Sequence, residues 1–267
     1  MRLSEPAPAK LNLALHVRGR RPDGRHTLET VFAFCTDGDL LHAEPADELT
    51  LEVIGPFAGA LANDGDNLAL RAARLLAERA EVAAGAALVL DKRLPVASGI
   101  GGGSADAAAA LRLLTRMWSI APDHAQWVAP VLGADVPACL LSMTARGDGA
   151  GDELQMVDAG ASGAPVLLVN PGVAVSTGEV FARWDGVDRG PLGDWREGRN
   201  DLAAAALTLA PAIGDVLNWL GRQGGVHFLR MSGSGATCFA LFDDEATRDA
   251  AAADCPAEWW RLATFLR

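Results

Sequence analysis

The feature that most constrains this chain is a run of small residues, Ser98-Gly99-Ile100-Gly101-Gly102-Gly103-Ser104, set between a strand and a helix. Leu88 to Leu90 reads as the strand, and Asp91-Lys92-Arg93-Leu94-Pro95 ends it. Ala105-Asp106-Ala107-Ala108-Ala109-Ala110-Leu111 then opens a strong helix. Glycines accept positive φ angles, and without side chains their backbone N–H groups can approach a ligand closely. A helix start adds unpaired N–H donors and the positive end of its dipole, roughly half a charge. Together these make an anion site, with the Ser104 hydroxyl placed where a phosphate or a metal ion would sit. The plainer alternative is a flexible loop capped by Ser104 or Asp106. No lysine follows the last glycine, so the run is not a Walker A loop, and its spacing is not that of a dinucleotide fingerprint. Positive charge for a bound phosphoryl group must therefore come from another part of the chain.

Bulk properties narrow the class. With 267 residues, 50% hydrophobic and 21% charged, the chain suits one large domain or two modest ones, each able to bury a core. A net charge of -11 argues against a generic nucleic-acid or anionic-membrane surface. Cys35, Cys139, Cys238 and Cys255 form no CxxC pair and lie in apolar stretches. They read as buried, reduced thiols, which fits a cytoplasmic protein. The start, Met1-Arg2-Leu3-Ser4-Glu5-Pro6, lacks the apolar core of a signal peptide, and no run of about 18 apolar residues exists to span a membrane.

Strand-like runs occur at Leu11 to Val17, Leu49 to Ile54, Ala87 to Leu90, Val166 to Val169 and Thr237 to Phe242. Helical periodicity covers Leu68 to Ala80, Ala105 to Trp118, His124 to Leu132, Leu202 to Leu220 and Glu245 to Ala252. Strands and helices mix throughout, which predicts an α+β or mixed class. The Gly/Ala/Asp-rich stretch from Arg146 to Gly163 is the candidate boundary, dividing the chain into domains at 1–150 and 151–267. Trp184 to Arg199 reads as an exposed insertion.

Three other segments carry candidate chemistry. In Lys10-Leu11-Asn12-Leu13-Ala14-Leu15-His16-Val17 the period of two puts Leu11, Leu13, Leu15 and Val17 on one face and Lys10, Asn12 and His16 on the other. A half-solvated strand explains that pattern equally well. Leu132-Gly133-Ala134-Asp135-Val136-Pro137 places one carboxylate among apolar residues. Asp135 is either a helix N-cap with Pro137 in the first turn, or a tuned general base. Ser232-Gly233-Ser234-Gly235-Ala236 is a glycine turn into a strand, or a second phosphate-facing or domain-closing loop.

Pro-Ala-Lys-Leu-Asn-Leu at 8–13, the glycine loop at 95–104 and Ser-Gly-Ser-Gly-Ala at 232–236 occur in an order that resembles the GHMP kinase family. Asp23-Gly24-Arg25-His26-Thr27-Leu28, Asp66-Asn67-Leu68, Lys92-Arg93-Leu94-Pro95 and Leu132 to Pro137 narrow the resemblance. They are similar to those of the members that act on a cytidine diphosphate-linked methylerythritol in non-mevalonate isoprenoid precursor biosynthesis. The resemblance implies an N-terminal domain like ribosomal protein S5 domain 2, a ferredoxin-like C-terminal domain, and an active site between them. It also implies ATP and Mg²⁺ as cofactors, with transfer of the γ-phosphoryl group to the 2-hydroxyl of the sugar alcohol.

On that resemblance Asp135 and Lys10 are the catalytic pair. The ATP loop is Pro95, Val96, Ala97, Ser98, Gly99, Ile100, Gly101, Gly102, Gly103, Ser104 and Ala105, with Asn67 near the adenine and Ser104 at the metal. Asn12, Arg25, His26, Thr177 and Phe181 fall on the substrate side. Two positions depart from the family pattern. Arg25 stands where a tyrosine is usual, in a chain that has no tyrosine, and Ala105 stands where a second serine is usual. A guanidinium plane can stack on a base. A sibling GHMP kinase with another small alcohol or phosphate substrate is the alternative. An RNA-binding module, suggested by Arg18 to Arg25, is opposed by the net charge of -11. A small-molecule substrate, no nucleic acid or membrane partner, and a monomer or homodimer complete the expectation.

Overall fold

The computed structural model describes residues 2–61 and 67–267. Asp66, part of the Asp66-Asn67-Leu68 motif, lies outside the described residues. The chain forms two compact units that interleave along the sequence. One is drawn from Met1–Ala9, Asp37–Val96 and Gly101–Ser142, the other from Lys10–Thr36, Ala97–Ile100 and Met143–Arg267. Two long strands, β1 (Leu3–Arg20) and β2 (His26–Glu44), contribute residues to both. The last passage between units falls at Ser142/Met143, a few residues before the expected division at 150/151.

In the first unit, β3 (Leu49–Ile54) pairs in parallel with β4 (Ala86–Asp91), and β4 pairs antiparallel with the end of β2, Leu40 opposite Asp91 and Glu44 opposite Ala87. Helices α1 (Leu68–Ala80), α2 (Gly102–Met117), α3 (Pro122–Leu132) and α4 (Val136–Leu141) complete it. Helix α1 begins where the Asn67 side chain accepts from the Ala69 amide, and ends where Glu81 turns left-handed at φ 54. Its buried residues, Ala69, Ala72, Ala73, Leu76 and Ala77, follow the helical period. The alanines of α2 from Ala107 to Ala110 are fully buried, so their small side chains bring this helix close to its neighbours.

In the second unit, β5 (Ala145–Asp148) and β6 (Glu153–Met156) form a hairpin, with β5 pairing to β2 at Thr30, Val31 and Phe32. The stretch expected to be a loose boundary is therefore largely a hairpin. Its glycines Gly149 and Gly151 serve the turn, at φ 69 and 92. A separate antiparallel sheet has the order β10 (Trp260–Phe265), β7 (Pro165–Asn170), β9 (Cys238–Phe242), β8 (Val226–Met231). Helices α5 (Thr177–Ala182), α6 (Ala203–Leu209) and α7 (Ala212–Leu220) lie between β7 and β8 in sequence, and α8 (Glu245–Asp254) lies between β9 and β10. This βαββαβ succession with spatial order four-one-three-two is the ferredoxin-like arrangement. Its core joins Leu167, Val169, Phe242, Ile213, Val216 and Leu220 among others.

The single helix expected from Leu202 to Leu220 is two, α6 and α7, broken at Ala210-Pro211. Proline cannot donate the missing helical bond and forces its predecessor out of the helical region, and Ala210 has φ -137 and ψ 83. The four cysteines are buried thiols outside any disulfide. Among the described residues no helix is long and apolar enough to cross a membrane.

Candidate active site

The strand carrying Lys10 is not half-solvated. Lys10, Asn12 and His16 are as buried as Leu11, Leu13 and Val17, so the polar face must be satisfied internally. The Lys10 ammonium donates to Asn12 Oδ1 at 2.9 Å and lies 5.3 Å from the centre of the Phe32 ring. Asn12 Nδ2 donates to Thr30 Oγ1 at 2.8 Å, and Thr30 donates in turn to the Ala14 carbonyl at 2.6 Å. The lysine is thus held on a strand by a chain of fixed partners. His16 bonds the Gly190 carbonyl and the Arg199 amide through its two ring nitrogens.

Three sequence motifs meet in this second unit. The Lys10 amide donates to Ile100 O at 2.9 Å, and the Thr237 amide donates to Ser98 O at 3.1 Å. The Ser232 hydroxyl donates to Gly99 O at 3.0 Å and accepts from the Asn12 amide at 3.1 Å. Ser232 therefore ties the lysine strand to the glycine loop with one oxygen. Asn200 donates to the carbonyls of Met231 and Gly233, holding the Ser232 turn from its other side. Gly99 has φ +78, and a Cβ there would lie 2.6 Å from both Gly235 O and Ser232 O. Only glycine allows the two loops to come so close.

The remainder of the glycine loop belongs to the first unit. Gly101 (φ 66) is the N-cap residue of α2, which begins at Gly102, three residues earlier than Ala105. Neither Ser104 nor Asp106 caps it, since no side chain bonds the helix start. The first intrahelical bond runs from the Ala105 amide to Gly101 O at 2.8 Å. A Cβ on Gly103 would meet nothing within 4 Å. The loop thus offers open space beside uncapped amides at the head of a 16-residue helix, the fit a polyphosphate requires.

Beneath that head lies a buried charge cluster. Lys92 Nζ is 2.5 Å from Asp39 Oδ2 and 2.6 Å from Asp106 Oδ2. Burial pushes the Asp106 carboxyl up, to about 7, against the pull of Lys92. Burial works against the Lys92 charge, but Asp106 and Asp39 outweigh it and raise the ammonium's pKa.

Asp135 occupies the N-cap position of α4, with Pro137 in the first turn. Its side chain makes no capping bond. Its carbonyl accepts from the Cys139 amide at 3.0 Å, and the carboxylate is half-buried. Asn67 spends its Oδ1 on the Ala69 amide at 2.9 Å.

Of the substrate-side candidates, the structure brings His26 and Phe181 together. Their rings stack at 4.8 Å between centroids, and Trp184 meets His26 edge-on at 5.6 Å. His26 Nε2 and Trp184 Nε1 are buried without a hydrogen-bond partner. Burial, with Arg20 nearby, holds the His26 pKa below the ordinary imidazole value. Thr177, one helical turn before Phe181 on α5, exchanges a 2.8 Å hydrogen bond with Ser234. Arg25 stands apart. It is exposed and bound to Asp23 through both backbone and guanidinium.

Trp184 was visible in the sequence only as an aromatic residue in a loose segment. That segment is less exposed than expected. Leu192 and Trp195 are buried, Asp188 pairs with Arg18, and the Arg230 guanidinium bonds the Trp195 and Gly198 carbonyls. Ser232 and Lys92 each belong to a motif visible in the sequence, but nothing there joins Lys92 to Asp39 and Asp106, and Asn200 carries no such signal.

The family pattern described as GHMP kinases N terminal domain matches residues 67–143, and that described as GHMP kinases C terminal matches residues 186–261. A 4-diphosphocytidyl-2-C-methyl-D-erythritol kinase of Rhizorhabdus wittichii is 56% identical, over 100% of this chain and 96% of its own length. One of Novosphingobium aromaticivorans is 51% identical, over 100% of this chain and 94% of its own. A crystal structure of a 4-(cytidine 5'-diphospho)-2C-methyl-D-erythritol kinase superposes with a TM-score of 0.84 at 33% identity, covering 99% of both chains. The chain belongs to the GHMP kinase family.

Proposed function

We propose that the chain phosphorylates the 2-hydroxyl of 4-diphosphocytidyl-2-C-methyl-D-erythritol with ATP, in the cytoplasm, as a step of non-mevalonate isoprenoid precursor biosynthesis. The observation that carries the reading is the 56% identity over the whole chain to a relative of that name. Convergence of the lysine strand, the glycine loop and the Ser232 turn supports it.

Phosphoryl transfer depends mainly on positioning and charge stabilisation. The amides of Gly102, Gly103 and Ser104 would receive phosphate oxygens, and the open side of Gly103 gives them room. Ser104 would hold a Mg²⁺ ion through its hydroxyl, and the ion would supply charge neutralisation for the phosphates. Lys10 supplies the positive charge the glycine loop lacks, from a position fixed by Asn12. Asp135, its carboxylate not spent on a cap, orients the acceptor hydroxyl and takes its proton.

Asn12, His26, Thr177 and Phe181 serve the substrate, with Asn67 near the adenine. His26 and Phe181 stack on each other, so a pyrimidine would have to part them to reach the His26 ring nitrogen and the covered face of Phe181. Arg25 would have to leave Asp23 to lie on a base. Their ion pair is exposed and opposes such a move weakly.

The test is ADP release with ATP, Mg²⁺ and a panel of alcohols. Turnover only with the cytidine-linked sugar alcohol is expected, and turnover with homoserine or mevalonate instead would overturn the proposal.

A further inference from the structure

The two carboxylates on Lys92 are more than stability requires. A buried ion pair is often no more stabilising than apolar residues of the same volume, and here one ammonium serves two acids. All three side chains are almost fully buried, at 2% exposure for Lys92, 2% for Asp39 and 3% for Asp106. They come from three elements: the residue after β4, β2, and the second turn of α2. Asp39 also accepts the amides of Arg93 at 2.6 Å and Leu94 at 2.8 Å through its second oxygen, fixing the chain's entry to the glycine loop. Lys92 Nζ would be 3.1 Å from a Cβ on Gly102, so the ammonium lies against the first residue of α2. Asp106 Oδ1 is buried without a hydrogen-bond partner, and the acid meets the Lys92 ammonium through its other oxygen.

We propose that Lys92, Asp39 and Asp106 form the positioning device of the glycine loop, locking its entry and the head of α2 in one frame so that its amides meet the nucleotide's phosphates in a set geometry. The inference rests on the reading of this loop as the ATP site.

Asp106→Ala separates positioning from folding. It leaves Lys92 and Asp39 as a complete ion pair while removing the ionic link from α2 to the other two elements. Asp106→Asn keeps an acceptor oxygen for the ammonium and is the conservative rescue. In the full chain, Asp106→Ala should raise KM for ATP about tenfold, as small misplacements at a site do. KM for the alcohol should change less than about twofold on the same reasoning. The melting temperature should move by only a few degrees. Asp106→Asn should recover most of the loss.

An ATP KM unchanged in Asp106→Ala, or a loss spread equally over both KM values and unrelieved by Asn, overturns the proposal. Hydrogen exchange of residues 98–105 in the unmutated protein, with and without a non-hydrolysable ATP analogue, separates the two readings. Without protection there, the loop assignment falls and this inference with it. With protection there and an unaffected Asp106→Ala, only the positioning role falls.

Discussion

Two glycines of one loop should respond to alanine in opposite ways. At Gly99 the backbone is left-handed (φ +78), which costs a residue with a Cβ about 1–2 kcal/mol. The added methyl would also lie 2.6 Å from Gly235 O and from Ser232 O. Both are backbone atoms of a turn closed by the bond from the Gly235 amide to Ser232 O, 2.9 Å, so neither can swing aside. Overpacking of this kind costs about 1–3 kcal/mol, and the sum for Gly99→Ala is roughly 2–5 kcal/mol of stability. Gly103 lies in the first turn of α2, has nothing within 4 Å of a built Cβ, and is not left-handed. Alanine there should gain about 0.5–1 kcal/mol through helix propensity. Its methyl, however, would occupy the space offered to phosphate. Urea titration gives the two stabilities and ATP saturation kinetics the two KM values. Gly99→Ala should lower the midpoint, whereas Gly103→Ala should keep or raise it while KM for ATP climbs. A Gly99→Ala protein within about 0.5 kcal/mol of the parent would refute the packing argument, since ordinary surface changes fall in that range. A Gly103→Ala protein with unaltered KM would refute the cradle.

Ser232→Ala leaves the Asn12 amide and Gly99 carbonyl buried without their shared partner, a loss of about 1–3 kcal/mol that denaturant titration would read. Asp135→Asn should lower kcat by about 10²–10⁴ if the carboxylate acts on the hydroxyl proton. Asparagine keeps the side chain's size and breaks no capping bond, so thermal melting should stay near the parent's, and a large drop would mean the carboxylate is structural. His26 and His16 have folded pKa values held below the ordinary 6.5, chiefly by burial. The unfolded chain therefore binds protons first as pH falls, so stability present above about pH 6.5 is lost on acidification through the lower folded values. Urea midpoints at pH 7.5 and 5.5 should show that fall, and His26→Gln should flatten it.

How much of this was legible depended on whether the signal was local. Helix α1 from Leu68 to Ala80 and strand β3 from Leu49 to Ile54 fall where the periodicity puts them, because α1 buries one face and β3 alternates half-buried with exposed residues. Strand β2, 19 residues long, was not seen. Thr36, Asp37, Gly38 and Asp39 interrupt its alternation, and Thr36, Gly38 and Asp39 answer to distant partners. A Cβ on Gly38 would lie 2.1 Å from Ala7 O, and Asp39 serves Lys92 and two amides. The break at Pro211 was readable from the proline alone, but the alanine run on its N-terminal side masked it.

The candidate site shows the same division. Lys10, Asn12, the glycine loop and Ser232 can be picked out by residue type, and the bond from Ser232 to Gly99 O shows what joins two of them. Nothing local distinguishes a strand with one wet polar face from one whose polar face is buried. That difference rests on Thr30, Ala14 and Gly190, none adjacent in sequence to Lys10. It also decides what the lysine can do. A solvated lysine samples many rotamers, each costing entropy to fix. Lys10 instead has its ammonium bound to a side chain that is itself bound to Thr30. Asn12 should therefore matter beyond any contact with substrate. Asn12→Asp would keep an acceptor for Lys10 but lose the Nδ2 donor to Thr30, whereas Asn12→Leu loses both. If Lys10 works by being held, Asn12→Leu should lower kcat more than Asn12→Asp at saturating substrates. Equal losses would mean that Lys10 is placed by other contacts.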